Sequence, residues 1–124
     1  MISYQIYKVL HLSSVFMVIM SLGAMALHSI NGGGREHRFR KQLATTHGIG
    51  LILSLVAGFG LLARLGFVHN QWPPGWALTK MLIWLIFGGL SGVLIRKPQF
   101  AKPLWLGIII LFSMAAYLAQ YKPF

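Results

Sequence analysis

The sequence has 124 residues, of which 56% are hydrophobic and only 10% are charged, and its mean hydropathy is +0.70. A soluble domain carries about 25% charged residues, so this composition excludes a water-exposed globular surface. The absence of cysteine excludes disulfides, thiolate metal sites and cysteine nucleophiles. The net charge of +10 does not indicate a nucleic-acid partner, because the basic residues lie between long apolar runs, where membrane proteins place their topological anchors.

The first apolar stretch predicts a membrane-spanning helix over residues 6–30. It meets the ~20 apolar residues that are needed to cross a bilayer core, and it ends at the helix-stopping run 31–34, Asn-Gly-Gly-Gly. The stretch is longer than the apolar region of about 7–15 residues in a signal peptide, so we expect it to be retained in the protein. A basic loop follows it.

The second span is predicted over residues 43–68. Its small residues Gly50, Ser54 and Gly58 recur every four positions, which places them on one face of a helix. The lack of side-chain bulk there would let another backbone, or a flat ligand, come close. His47 lies near the start of this span and Arg64 near its end.

The third and fourth spans are predicted over residues 76–95 and 104–121. The third contains Lys80 one turn inside its start, and its Gly88 and Gly92 form a G-x-x-x-G pattern that predicts close packing on a neighbouring helix. The fourth span contains no acidic side chain, lysine, arginine or histidine, and we interpret it as scaffold.

Together these spans predict a single all-α membrane domain covering residues 1–124, an antiparallel four-transmembrane-helix bundle, because short connections join antiparallel neighbours. Basic residues are more numerous in the loops after spans one and three (Arg35, Arg38, Arg40, Lys41, Arg96, Lys97, Lys102) than on the opposite side (Lys8, Arg64, Lys80, Lys122). The positive-inside rule therefore predicts a multi-pass protein of the bacterial inner membrane with both termini on the non-cytoplasmic side.

Four of the five histidines fall into two pairs by predicted depth. His28 and His47 lie toward the cytoplasmic side, and His11 and His69 lie toward the outer side. Two imidazoles at similar depth on facing helices are what a b-type haem requires as axial ligands. We therefore take His11, His28 and His47 as candidate ligands of the haem iron, either as a His28–His47 pair or as His11 with a partner.

The candidate cations for the haem propionates are Arg64 and Lys80, with Lys8, on the outer side, and Arg38, Arg40 and Lys41 on the cytoplasmic side. Ionisable groups within a membrane span are costly and usually functional, which favours an anionic ligand beside them. The alternative for Arg64 and Lys80 is that both side chains extend to the membrane surface. Histidines near the ends of the spans have the same alternative, in which they lie at the membrane–water interface and bind no cofactor.

Other chemistries find no support in the sequence. A single acidic residue, Glu36, cannot provide a paired acid and base, and the glycine run 32–34 lacks the pattern of a phosphate-binding loop. No H-x-x-x-H pair is present to preorganise zinc or copper. The catalytic residues of an enzyme are therefore not identified, and whether the protein is an enzyme stays open.

The segment YKVLHLSSVFMVIMSLGAMALH, residues 7–28, resembles the opening of small bacterial membrane proteins of the SirB and HemJ type. These are four- or five-helix proteins, and the HemJ type binds haem and is linked to protoporphyrinogen oxidation. The likeness covers the first span and the basic loop with the helix after it. It implies that His11, in the Lys-x-Leu-His step, is a haem-associated histidine. The chain is short for the HemJ type, which counts against the enzymatic activity.

The sequence thus predicts a membrane b-type haem-binding protein that acts in electron transfer or haem metabolism. One alternative is a non-catalytic accessory subunit of a larger respiratory or photosynthetic membrane complex, since small-residue faces and a plain fourth span also serve helix–helix contacts. Another is a protein that binds a quinone or a lipid between the first two helices. All three interpretations imply the lipid bilayer as a partner, and none of them implies a nucleic acid. The accessory-subunit alternative also implies other membrane subunits as partners.

Overall fold

A computed structural model describes residues 3–34, 36–66 and 73–122. These residues are all-helical, without a strand among them. The long helices are α1 (Tyr4–Ile30), α2 (Arg40–Arg64), α3 (Gly75–Arg96) and α4 (Ala101–Tyr121), with a short 3₁₀ turn (Pro98–Phe100) before α4. Each of the four is long and apolar enough to cross a membrane.

The helix ends follow from local sequence. The hydroxyl of Ser3 caps α1 by accepting a 3.3 Å hydrogen bond from the Ile6 N–H. After α1 the chain turns at Gly32, whose φ of +81° is one that side-chain-bearing residues rarely adopt. Pro74 precedes α3, and Pro98 separates α3 from α4.

The second helix is displaced from its predicted range of 43–68. It begins at Arg40 and ends at Arg64, and the chain then turns through Leu65 and Gly66. Gly66 has a φ of +99°, which ends the regular helix. Apolar character continues past this glycine in the sequence, which is why hydropathy alone extended the prediction too far.

The small-residue face of α2 packs against α1, as its spacing predicted. A Cβ atom placed on Gly50 would lie 2.8 Å from the carbonyl oxygen of Ser14 and 2.9 Å from Cγ2 of Val18. A Cβ on Gly58 would lie 3.3 Å from Cε1 of His11. The missing side chains therefore bring the two helices together, and α1 covers this face most closely at Gly50.

The G-x-x-x-G pattern of α3 makes no close contact at Gly92 with the described residues of this chain, since an added Cβ there would have no neighbour among them within 4 Å. At Gly88 it would meet Leu51 Cδ1 at 3.6 Å, an ordinary contact. The glycine pattern allows a neighbouring helix to approach closely, but the arrangement of the whole bundle decides whether a helix lies there. The α3 side chains that are buried belong to a different face, Ile83, Phe87, Leu90 and Leu94.

The bundle buries a few polar side chains and exposes many apolar ones. Among the described residues, the buried side chains are mostly apolar, and four are polar: Ser14, Ser21, His47 and Ser54. Large apolar side chains on every helix expose more than half of their surface, among them Phe16, Ile52, Leu85 and Leu106. A water-soluble helical bundle would not expose so many large apolar side chains.

Candidate functional site

Three adjoining cavities lie among the helices, and His11 and Lys80 line all three. The first lies between α2 and α3 beside Trp84. The second is apolar, measures about 150 Å³ and reaches α4 at Phe112. The third measures about 300 Å³ and lies toward the start of α1 and the end of α4. Its volume reaches the lower end of the range of about 300–1,000 Å³ that is usual for ligand and cofactor pockets.

His11 is held in one orientation by the neighbouring helix. Its Nδ1 lies 2.9 Å from the backbone carbonyl oxygen of Ser54. A carbonyl can only accept a hydrogen bond, so Nδ1 must carry the proton and donate it. In the neutral imidazole, Nε2 is then the nitrogen with the lone pair. Histidines that bind metals in proteins are commonly oriented in this way, with one ring nitrogen donating to a carbonyl and the other free to coordinate.

His47 has a different environment. It is 5% exposed, and its Nε2 lies 3.1 Å from the carbonyl oxygen of Phe87 on α3. Trp84 of α3 makes the reciprocal contact, donating from Nε1 to the carbonyl oxygen of Leu51 on α2 at 2.8 Å. These two hydrogen bonds join α2 to α3, so His47 has a direct structural role in the bundle.

His28 lies at the other end of α1. Its Nε2 donates to the carbonyl oxygen of Gly34 at 2.8 Å, and its ring centroid lies 4.1 Å from that of His37. It lines a separate cavity of about 120 Å³ with His37 and Arg40. His28 therefore helps to close the turn after α1.

The contacts between α1 and α2 set the relative depth of the histidines. Going along α1, Tyr7 meets Gly60, His11 meets Ser54 and Ser14 meets Gly50. Extending this register places His47 opposite residues 17–20 of α1. At a rise of 1.5 Å per residue, His47 is then about 9–14 Å along the helix axis from the level of His11 and about 12–17 Å from that of His28. The structure brings His11 and Lys80 together and separates the His28–His47 pair.

The two remaining predicted residues are Arg64 and His69. Arg64 is the last residue of α2 and its side chain is exposed. His69, the predicted partner of His11, lies outside the described residues. A group of three or more metal-ligating side chains is not present within the described ranges.

Lys122 was not predicted as part of the site, and it lines the 300 Å³ cavity together with Lys8 and Lys80. A signal for it was present. Residues at the start of the first and third helices and at the end of the fourth lie on the same side of an up-and-down bundle, and each of these positions carries a lysine.

Comparisons of this chain with protein-family models, curated proteins and solved structures gave no match.

Proposed function

We propose that this chain is a b-type haem-binding protein of the bacterial inner membrane that acts in electron transfer or haem metabolism, with His11 as the protein ligand of the iron. The observation that carries the proposal is the hydrogen bond from His11 Nδ1 to the Ser54 carbonyl, at 2.9 Å. It leaves Nε2 for coordination on a side chain that lines all three central cavities. The resemblance of residues 7–28 to SirB and HemJ proteins gives the same residue.

The distribution of side chains supports placement in a membrane. Apolar residues cover the outside, where lipid would contact them, and the buried serines bond within their own helices, as at Ser21, whose hydroxyl donates to the Met17 carbonyl at 2.8 Å. The successive contacts of Tyr7, His11 and Ser14 with residues 60, 54 and 50 support an antiparallel arrangement of α1 and α2.

The basic residues support an orientation with both termini on the non-cytoplasmic side. Of the four basic residues on the side of the termini, Lys8, Lys80 and Lys122 line an interior cavity. The basic residues at the opposite end are mostly exposed, as Arg40, Arg96 and Lys97 are. The charges that the positive-inside rule counts are therefore concentrated on the proposed cytoplasmic side.

A bound haem would supply one-electron chemistry at the iron. The residues of this chain would hold it in place: His11 would coordinate the iron, Lys80 would neutralise a propionate, and Trp84 and Phe112 would provide apolar walls. Because the helix register separates His47 and His28 from His11, we propose that His11 would be the single histidine ligand. Arg64 is the second candidate for a propionate, from the end of α2.

Titration of the detergent-purified protein with haem tests this proposal. We expect a Soret band that saturates at one haem per chain in the wild type and in His28→Ala, since His28 lies in a different cavity. The band is expected to be lost in His11→Ala. His47→Leu, which removes a hydrogen bond between α2 and α3, is expected to lower thermal stability and to retain the band. Equal haem affinity of the wild type and His11→Ala would contradict the proposal.

A second candidate, an accessory subunit of a larger membrane complex, is favoured by the exposure of α4. Only Ala101, Ile108 and Leu118 are buried on that helix. The remaining apolar surface suits contact with another transmembrane helix as well as with lipid. Co-purification of larger subunits with a colourless protein would favour this candidate.

A further inference from the structure

Three lysines from separate parts of the chain converge on the 300 Å³ cavity. Lys8 comes from the second turn of α1, Lys80 from the second turn of α3, and Lys122 follows α4. We call this cavity, with these three residues on its wall, the lysine vestibule. His11 is also in its lining, and Tyr4 and Gln120 add hydrogen-bonding groups.

The protein provides no acidic side chain to neutralise the vestibule. Glu36 is the one Asp or Glu in the whole sequence, and its carboxylate lies 3.6 Å from Arg40, at the start of α2. The vestibule lies near the other end of that helix, beside Leu61 and Leu65. A cluster of cations at the edge of a bilayer, with no acidic side chain beside it among the described residues, favours binding of an external anion.

The position of Lys122 is fixed by its neighbours. Its Nζ donates to the carbonyl oxygen of Ala119 at 2.8 Å and lies 5.4 Å from the centroid of the Trp76 ring. A cation above an aromatic ring is favourably placed. The charge is therefore held at the wall of the vestibule, with ammonium protons still available for a ligand because Nζ has three donors.

An apolar cavity continues from the vestibule into the bundle. It measures about 150 Å³ and shares His11, Lys80 and Leu12 with the vestibule. The rest of its wall is almost entirely aliphatic and aromatic, and includes Val15, Leu51, Ile83, Phe87 and Phe112. A cationic mouth above an apolar interior is complementary to a molecule with an anionic group on an apolar body.

We propose that the lysine vestibule binds the carboxylate or phosphate group of an amphipathic ligand whose apolar part occupies the adjoining cavity. This goes beyond iron coordination by His11, because the recognition needs no metal. Haem propionates, a fatty-acid carboxylate and a lipid phosphate all present this chemistry, and the arms of the experiment below separate them.

The test is a titration of tryptophan fluorescence in a neutral maltoside detergent, since Trp76 and Trp84 line these cavities. Oleate, dodecyl phosphate and haem are the anionic probes, and oleyl alcohol, dodecanol and haem dimethyl ester are their uncharged counterparts. Inorganic phosphate alone measures binding of the anion without an apolar body. We expect each anionic amphiphile to bind at least about tenfold more tightly than its uncharged counterpart. The probe with the largest ratio of affinities identifies which anionic group, haem propionate, fatty-acid carboxylate or lipid phosphate, the vestibule prefers.

The matched variants carry the same change in net charge at opposite ends of the bundle. The triple variant Lys8→Gln, Lys80→Gln, Lys122→Gln is expected to lose this tenfold preference. The control Lys41→Gln, Lys97→Gln, Lys102→Gln removes three lysines at the other end and is expected to keep it. Lys80→Arg retains the charge and is expected to keep most of the affinity, which separates loss of charge from loss of folding.

Equal binding of charged and uncharged probes by the wild type would overturn the inference, as would an equal loss in both triple variants. The oleate and dodecyl phosphate arms contain no iron, so they can succeed where haem binding fails. Conversely, equal affinities for haem and its dimethyl ester, with the same spectrum for both, would leave iron coordination by His11 intact and contradict the vestibule and the role of Lys80 beside a propionate.

Discussion

Gly50→Ala is expected to lower the free energy of unfolding by about 1–3 kcal/mol, because its Cβ would overpack the contact between α1 and α2. The nearest atom is the Ser14 carbonyl oxygen, at 2.8 Å, followed by Val18 Cγ2 at 2.9 Å and Met17 Cβ at 3.1 Å. A backbone oxygen cannot move aside without shifting its helix. Gly50→Leu should prevent the two helices from packing. Thermal unfolding in detergent, followed by circular dichroism, measures both effects.

Gly48→Ala is the matched control for this prediction. Gly48 lies two residues away on the same helix, and a Cβ placed there would have no neighbour within 4 Å. Alanine should leave stability unchanged or raise it by up to about 1 kcal/mol, since it restricts the unfolded chain more than glycine does. If Gly48→Ala and Gly50→Ala were equally stable, the close approach of α1 and α2 at Gly50 would be refuted.

His11→Gly is expected to reduce haem affinity by at least about a hundredfold, and millimolar imidazole should restore the bound spectrum. Glycine removes the proposed ligand and leaves space in the lining of the cavities, which a free imidazole can occupy. The Soret absorbance of the protein titrated with haem, with and without imidazole, gives both results.

The rescue separates ligation from structure. Loss of the hydrogen bond to the Ser54 carbonyl would also weaken the contact between α1 and α2, but imidazole in solution does not reconnect the helices. Haem binding that is lost in His11→Gly and not recovered at any imidazole concentration would indicate a structural role. His28→Gly serves as the control, and its haem affinity should match that of the wild type.

The four helices were predictable because the signals that define them are local. Length and hydropathy identify a helix that can cross a bilayer, and Asn31-Gly32, Pro74 and Pro98 mark its ends. The face of α2 that meets α1 was also predictable, since Gly50, Ser54 and Gly58 repeat with helical spacing.

The composition of the site was only partly predictable. His11 and Lys80 were identified, but the depth pairing of His28 with His47 depended on assuming that helix ends align. The register is set by the contact of Gly50 with Ser14, which is a tertiary property. Hydrogen bonds to backbone carbonyls, such as that from His47 to Phe87, have no signature in the sequence because every residue offers a carbonyl.

The rotation of each helix was the other unpredictable element. Helices that are apolar all round have no strong hydrophobic face, so sequence does not show which side chains point inward. Lys8, Lys80 and Lys122 are on one side of the bundle by topology alone, but their convergence on one cavity depends on how three elements are rotated.

The most direct measurement is the visible spectrum of the wild-type protein purified from cells supplied with haem, recorded in the ferrous state before and after addition of carbon monoxide. With His11 as the single protein ligand, we expect a Soret band that shifts when carbon monoxide binds the iron. A colourless protein would contradict haem binding. A sharp α-band that carbon monoxide does not change would show two protein ligands and overturn the assignment of His11 as the only one.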